Sequence, residues 1–152
     1  MNEPPFDVAK AHRWFAVELN NAAWDLVDKA DRTAAETDQM IHSAHAACLH
    51  WSQVGASVNR LRAEVLLALV YVEAGQGEPA VHSATRCMGL LEPPPADLTP
   101  FDIASVHGAA SRAHALTGAD DEAKRHQEAM KRAAEGMDKD ELAVLRSTFG
   151  LK

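Results

Sequence analysis

The sequence predicts an all-α fold, a stack of antiparallel helix pairs with about seven helices over residues 1–152. Three observations carry that prediction. Alanine is abundant through segments of 15 to 20 residues, and alanine loses no side-chain entropy on entering a helix. Clear alternating apolar and polar runs are missing, so no sheet is expected. Helix start and stop signals recur along the whole chain, and short connections between consecutive helices force antiparallel neighbours.

The first helix is expected from about Asp7 to Lys29, after the Pro4-Pro5 breaker. The second opens at "TAAE", where Thr33 and Glu36 can form a reciprocal capping box, and runs to Gly55. A third, from about Ser57 to Ala74, stops at "GQGEP". The fourth covers Pro79 to Glu92 and ends before the long loop "PPPADLTP". Thr99-Pro100 opens the fifth, with threonine as N-cap and proline in the first turn, and it continues to Leu116. Gly118 breaks it, and a sixth covers Asp120 to Glu135. A short last helix follows, capped by Asp138 with Glu141 three residues on.

Bulk properties narrow the function. A composition that is 47% hydrophobic and 24% charged belongs to a folded chain. A net charge of −7 opposes binding to a phosphate backbone, so no nucleic-acid partner is expected. The longest apolar run, "VLLALVYV", is eight residues, too short for a membrane span. "MNEPPFDVAK" lacks the basic start and apolar stretch of a signal peptide. Cys48 and Cys87 lack C-x-x-C spacing and read as small buried thiols in a reducing cytoplasm, the expected location, although one disulfide between them is open.

"HSAHAACLHW" packs three histidines and a cysteine into ten residues. On a helical wheel Met40, Ala44, Ala47, Cys48, Trp51 and Val54 share one face. His42 lies opposite that face, and His45 and His50 sit on its two flanks. Metal ligands from one helix need a shared face at spacings of three or four. Only His42 with His45, or His45 with Cys48, qualifies, and neither pair has a third ligand nearby in sequence. The reading is boundary histidines; no metal or cofactor is expected.

Comparing "LLALVYVEAGQGEPAVHSATRCMGLL" with "AASRAHALTGADDEAKRHQEAMKRAA" reveals an internal repeat. Aligned on Gly75 and Gly118, Leu67 matches Ala110, Tyr71 matches His114, Ala80 matches Ala123 and Cys87 matches Met130. The pattern resembles the tetratricopeptide repeat, whose glycine ends the first helix and whose small residues let the second approach. The two glycines are 43 residues apart, and "PPPADLTP" accounts for the excess over the family's usual period. The resemblance implies a right-handed solenoid. Residues 57–92 and 100–135 would be repeats, 7–55 a degenerate helix pair and 138–148 a capping helix. It also implies a scaffold for a protein or peptide partner, with Arg62 and Arg112 at groove-facing positions. Such a pair, with Asn59 as companion, could grip a carboxylate. The plainer alternative is that these arginines are solvated and pair with Glu64 or Glu73.

Two further constellations stand out. His107, Ser111 and His114, at i, i+4 and i+7, share one stripe of the fifth helix. They read as a hydrogen-bonded packing seam, or alternatively as a polar pocket for a small molecule or ion. No nucleophile-elbow glycines surround Ser111 and no orienting carboxylate is evident, which opposes catalysis. The first helix carries two apolar stripes. Val8, Phe15, Leu19, Ala23 and Leu26 are expected to face the core. Trp14, Val17 and Trp24 form a second stripe that must meet the last helix, a second copy of the chain as a homodimer, or a client.

There is no P-loop, no G-x-G-x-x-G after a strand and no H-E-x-x-H. "EAGQGEP" joins two helices and reads as a turn. The sequence thus predicts a cytoplasmic, non-catalytic interaction module, anchored through Trp14, Val17 and Trp24 and oriented by Asn59, Arg62 and Arg112. A small-molecule or metal binder at His107, Ser111 and His114 and a structural homodimer are the alternatives.

Overall fold

A computed structural model describes residues 3–152, and residues 1–2, the start of the segment read for a signal peptide, lie outside the described residues. Among the described residues there are seven helices and no strand: α1 (Val8–Val27), α2 (Ala34–Val54), α3 (Ser57–Glu73), α4 (Gly77–Gly89), α5 (Pro100–Leu116), α6 (Asp120–Ala133) and α7 (Lys139–Phe149). None of these helices is long and apolar enough to cross a membrane.

Capping sets most of the boundaries. Thr33 accepts from the Glu36 amide while the Glu36 carboxylate accepts from the Thr33 amide, the box that sequence indicates. Thr99 with Asp102 and Asp138 with Glu141 repeat the arrangement at α5 and α7. The ends of α3 and α5 are twins. Gly75 and Gly118 have φ of +71° and +77°. The next residues, Gln76 and Ala119, donate back to the Tyr71 and His114 carbonyls at 2.9 and 3.0 Å. These are Schellman closures, and they pair Tyr71 with His114 as the sequence alignment does.

Several boundaries differ from expectation: α1 stops at Val27, not Lys29, and α6 at Ala133, not Glu135. Helix α4 starts at Gly77, not Pro79, and ends at Gly89, not Glu92. Pro79 sits in its first turn, where a missing N–H costs nothing. A Cβ on Gly77 would lie 2.7 Å from Thr117 Cγ2, so glycine there lets α4 start against the end of α5.

Helices pair as α1–α2, α3–α4 and α5–α6, and α1 also packs on α3, α3 on α5 and α5 on α7. The first helices of the three hairpins thus form a row, with α7 at its end. Such packing fits a helical bundle or a solenoid. The central helix α3 is buried nearly all round, from Leu61 through Val70 with Arg62 the exposed exception. Gly108 fixes the far end of the row. A Cβ there would meet Phe149 Cβ at 2.5 Å and Met130 Sδ at 2.9 Å, so its hydrogen lets α6 and α7 close on α5 together.

The first hairpin corrects two expectations. Its helix α1 buries Ala16 and Ala23 completely, while Val8 and Phe15, expected in the core, are exposed. Small residues allow close approach to α2, so the buried face turns toward the alanines and leaves the larger side chains at its edge. That turn also separates the second stripe: Trp24 packs against the core, whereas Trp14 and Val17 stay outside. The turn after α1 has no glycine. Instead Arg32 donates through Nη1 to the carbonyls of Leu26, Val27 and Lys29 at 2.8, 3.0 and 2.8 Å. A guanidinium does there what glycine geometry does in the other hairpins.

Candidate binding groove

The row of first helices leaves a groove of about 700 Å³ between α1, α3, α5 and α7. From α1 and its C-cap, Asn20, Trp24 and Asp28 line it, a spacing of four that holds them on one stripe. Leu61, Val65, Phe101 and Phe149 supply the apolar lining with Trp24. Phe101 and Phe149 meet edge-on, centroids 6.4 Å apart, the favourable geometry for aromatic quadrupoles. Polar groups of the lining include Asn20, Thr99, Ser105, Ser147 and Thr148.

One charged pair marks the groove. Arg62 donates from Nε to Asp102 Oδ1 at 2.7 Å and from Nη2 to Oδ2 at 2.9 Å. Asp102 also accepts from the Thr99 amide and hydroxyl at 3.0 and 2.9 Å. Burial pushes the Asp102 carboxyl up, but Arg62 and the Thr99 donors outweigh it and hold the carboxyl below the usual carboxylate range. The Arg62 side chain is 52% exposed against 6% for Asp102. Its fork is therefore fixed on one side, and among the described residues its Nη1 edge makes no hydrogen bond.

The other residues singled out in sequence are distributed around this groove. Arg112 lies behind its wall, donating to the Thr148 carbonyl and to Glu73 Oε1, each at 2.7 Å. Glu73 accepts from Arg32 as well, at 3.2 Å, so a single carboxylate joins the turn after α1 to α5. Asn59 caps α3, its Oδ1 accepting from the Ala56 amide at 3.1 Å. Trp24 and Arg62 thus share the groove, while Arg112 and Asn59 position its walls. Trp14 and Val17 are outside it, 59% and 39% exposed, with Trp14 edge-on to Phe15 at 4.9 Å.

His107, Ser111 and His114 face α6. The Nδ1 atoms of His107 and His126 are 2.9 Å apart, one donating and one accepting. Ser111 donates to the Ala123 carbonyl at 2.9 Å, and His114 stacks on His126 with rings 7° from parallel. The stripe lies against α6, where His126 meets both of its histidines. Burial, then the neighbouring His126 and Arg132, pushes His107 down; burial and His114 push His126 down. A second pair, His12 with His50, joins α1 to α2 in the same manner at 2.8 Å. His42 is exposed, and His45 bonds the Tyr71 hydroxyl at 2.5 Å. Among the described residues no three His, Cys, Asp or Glu side chains are grouped so as to hold a metal ion.

Sequence reasoning missed Asp102, Phe101, Phe149 and His126. Asp102 carried a signal, as the third residue after a threonine cap. The others meet their partners only through the packing of distant helices. No protein-family model, curated protein or solved structure is significantly similar to the chain.

Proposed function

We propose that this protein is a non-catalytic scaffold that binds a protein or peptide segment along the groove between α1, α3, α5 and α7. One observation carries the reading: the first helices of all three hairpins converge on a single aromatic-floored groove with a half-exposed guanidinium at its edge. An amphipathic helix or extended peptide fits such a surface, its apolar anchors on Trp24, Phe101 and Val65 and an acceptor on the Nη1 edge of Arg62. The twin glycine closures and the row of first helices support a tetratricopeptide-like, right-handed solenoid as the underlying architecture. In such arrays the first helices line the concave face, which is where this groove would then lie.

Selection of a displayed peptide library on the immobilised protein tests the reading. Peptides recovered on the native protein should lose at least about tenfold in affinity on Ser147→Trp, which fills the groove from an exposed position. Recovery of no binder, or of binders indifferent to Ser147→Trp, overturns the proposal.

The exposed end of α1 supports a second, compatible reading. Phe6, Val8, Trp14, Phe15 and Val17 all remain uncovered there, and exposed aromatics in one region serve as association surfaces. Self-association through this end predicts a dimer by light scattering that Trp14→Ala dissociates; a monomer at all concentrations removes it.

A further inference from the structure

The charges along the groove restrict what can enter it. The two arginines that sequence marks as grips for a carboxylate already hold carboxylates of the protein itself, Arg62 that of Asp102 and Arg112 that of Glu73. Asp97 lies close enough to Arg62 to add to the stabilisation that Asp102 gives its cation. The charged side chains that line the groove are Asp28, Arg62 and Asp102. The last two neutralise each other, which leaves the Asp28 carboxylate in excess.

Asp28 is exposed, and among the described residues no cation lies within ion-pair range of it. The cations that follow it in the chain are committed elsewhere. Lys29 pairs with Glu36, and Arg32 pairs with Glu73 and donates to the carbonyls of the turn. Asp28 is also the C-cap of α1, whose last turn carries no basic residue. The carbonyl end of a helix is its negative pole, so a cation is favoured there. One turn back on the same stripe, the half-buried Trp24 offers an apolar surface. A lysine or arginine suits the two together, its methylene stem along the indole and its head at the carboxylate. An acidic partner would instead meet both Asp28 and the field of a chain of net charge −7.

We propose that the partner of the groove is a basic, amphipathic protein segment. Its bulky apolar residues lie among Trp24, Val65, Phe101 and Phe149, and a lysine or arginine of the segment pairs with Asp28. The Arg62 Nη1 edge then takes a neutral acceptor, such as a backbone carbonyl. This inference rests on the reading of the groove as a peptide site and adds the charge of what it takes.

Random displayed peptides selected on the native protein and counter-selected on Ser147→Trp test it. The groove binders should carry more lysine and arginine than aspartate and glutamate. For the tightest of them, synthesised alone, replacing its basic residues by glutamine should weaken binding about tenfold. Asp28→Asn should weaken the basic peptide about threefold and leave its glutamine version unchanged. Asp121→Asn removes the same charge from an exposed position on α6, outside the groove, and should have no such effect. Three results overturn the inference and leave the groove a peptide site: groove binders that are neutral or acidic, a glutamine version of equal affinity, or equal responses to Asp28→Asn and Asp121→Asn. Recovery of no peptide that Ser147→Trp excludes removes both readings.

Discussion

Asp102 grips Arg62 of the neighbouring helix with both carboxylate oxygens, and its Oδ2 also accepts from the Thr99 cap of its own helix. The cap of α5 and the α3–α5 contact at the groove are therefore one structure. Asp102→Ala removes the Arg62 contact and the carboxylate half of the capping box, and should cost about 2–3 kcal/mol by denaturant unfolding. Arg62→Ala leaves the cap in place and should cost about 1 kcal/mol, because the guanidinium is half exposed. The double variant should show a coupling of about 1 kcal/mol; strict additivity would mean that the two residues act independently.

Gly108 and Gly89 should respond oppositely to added side chains. Gly108→Val places carbon where Phe149 and Met130 already sit, and a loss of about 2–3 kcal/mol is expected. Gly89 closes α4 with nothing within 4 Å of an added Cβ. There Gly89→Ala should raise stability by about 0.5–1 kcal/mol by restricting the unfolded chain. Thermal melts of the two variants side by side decide the matter.

The His107–His126 bond needs at least one neutral ring. Both imidazoles are held below their ordinary value by burial first and by cationic neighbours second. The groups facing them are His114, Arg125 and Arg132, with Glu122 the opposing acid. The unfolded chain therefore takes up protons first as the pH falls. Stability from this pair should be complete above about pH 6.5 and decline as pH drops from there toward the depressed folded values. Denaturation midpoints at pH 7.5, 6.5 and 5.5 should fall in the wild type. The decline should flatten in His107→Gln.

Cys48 and Cys87 should be nearly inert while the chain is folded. Burial pushes the Cys48 thiol up to about 12 and raises Cys87 further, with Glu64 adding to both. Thiolate is the reactive form, so iodoacetamide at pH 8 should label the native protein at least about a hundredfold more slowly than the unfolded one. Fast labelling of Cys48 in the native protein would contradict its described burial.

Trp14 should be dispensable for folding. It is exposed and touches Phe15 at its edge, so Trp14→Ala should change stability by less than about 0.5 kcal/mol. Helical circular dichroism should be unaltered.

What sequence revealed and what it hid divide along one physical line. Thr33, Thr99, Asp138, Gly75 and Gly118 act on backbone within six residues of themselves, and each does what its neighbours in the chain imply. The helix boundaries drift by a few residues, at α4 where proline and glycine admit more than one solution and at the C-terminal ends of α1 and α6. The groove was half legible. Trp24 and Arg62 stand out as residue types, but their setting depends on Asp102, 40 residues from Arg62, and on Phe149 at the far end of the chain. The rotation of α1 was hidden for the same reason. Two stripes compete on that helix, and the alanines win because the approaching backbone of α2 favours small side chains, a property of the partner and not of α1. Arg32 shows the limit most plainly: an arginine outside any helix gives no hint that it closes one.

Glu73, clasped from opposite sides by Arg32 and Arg112, couples the outermost hairpins across the middle one. Removing either end of the chain would strip this carboxylate of a cation and loosen the other end with it. The protein should accordingly resist being trimmed into shorter working lengths, and heat should take it apart in one step, without hairpins peeling away in turn.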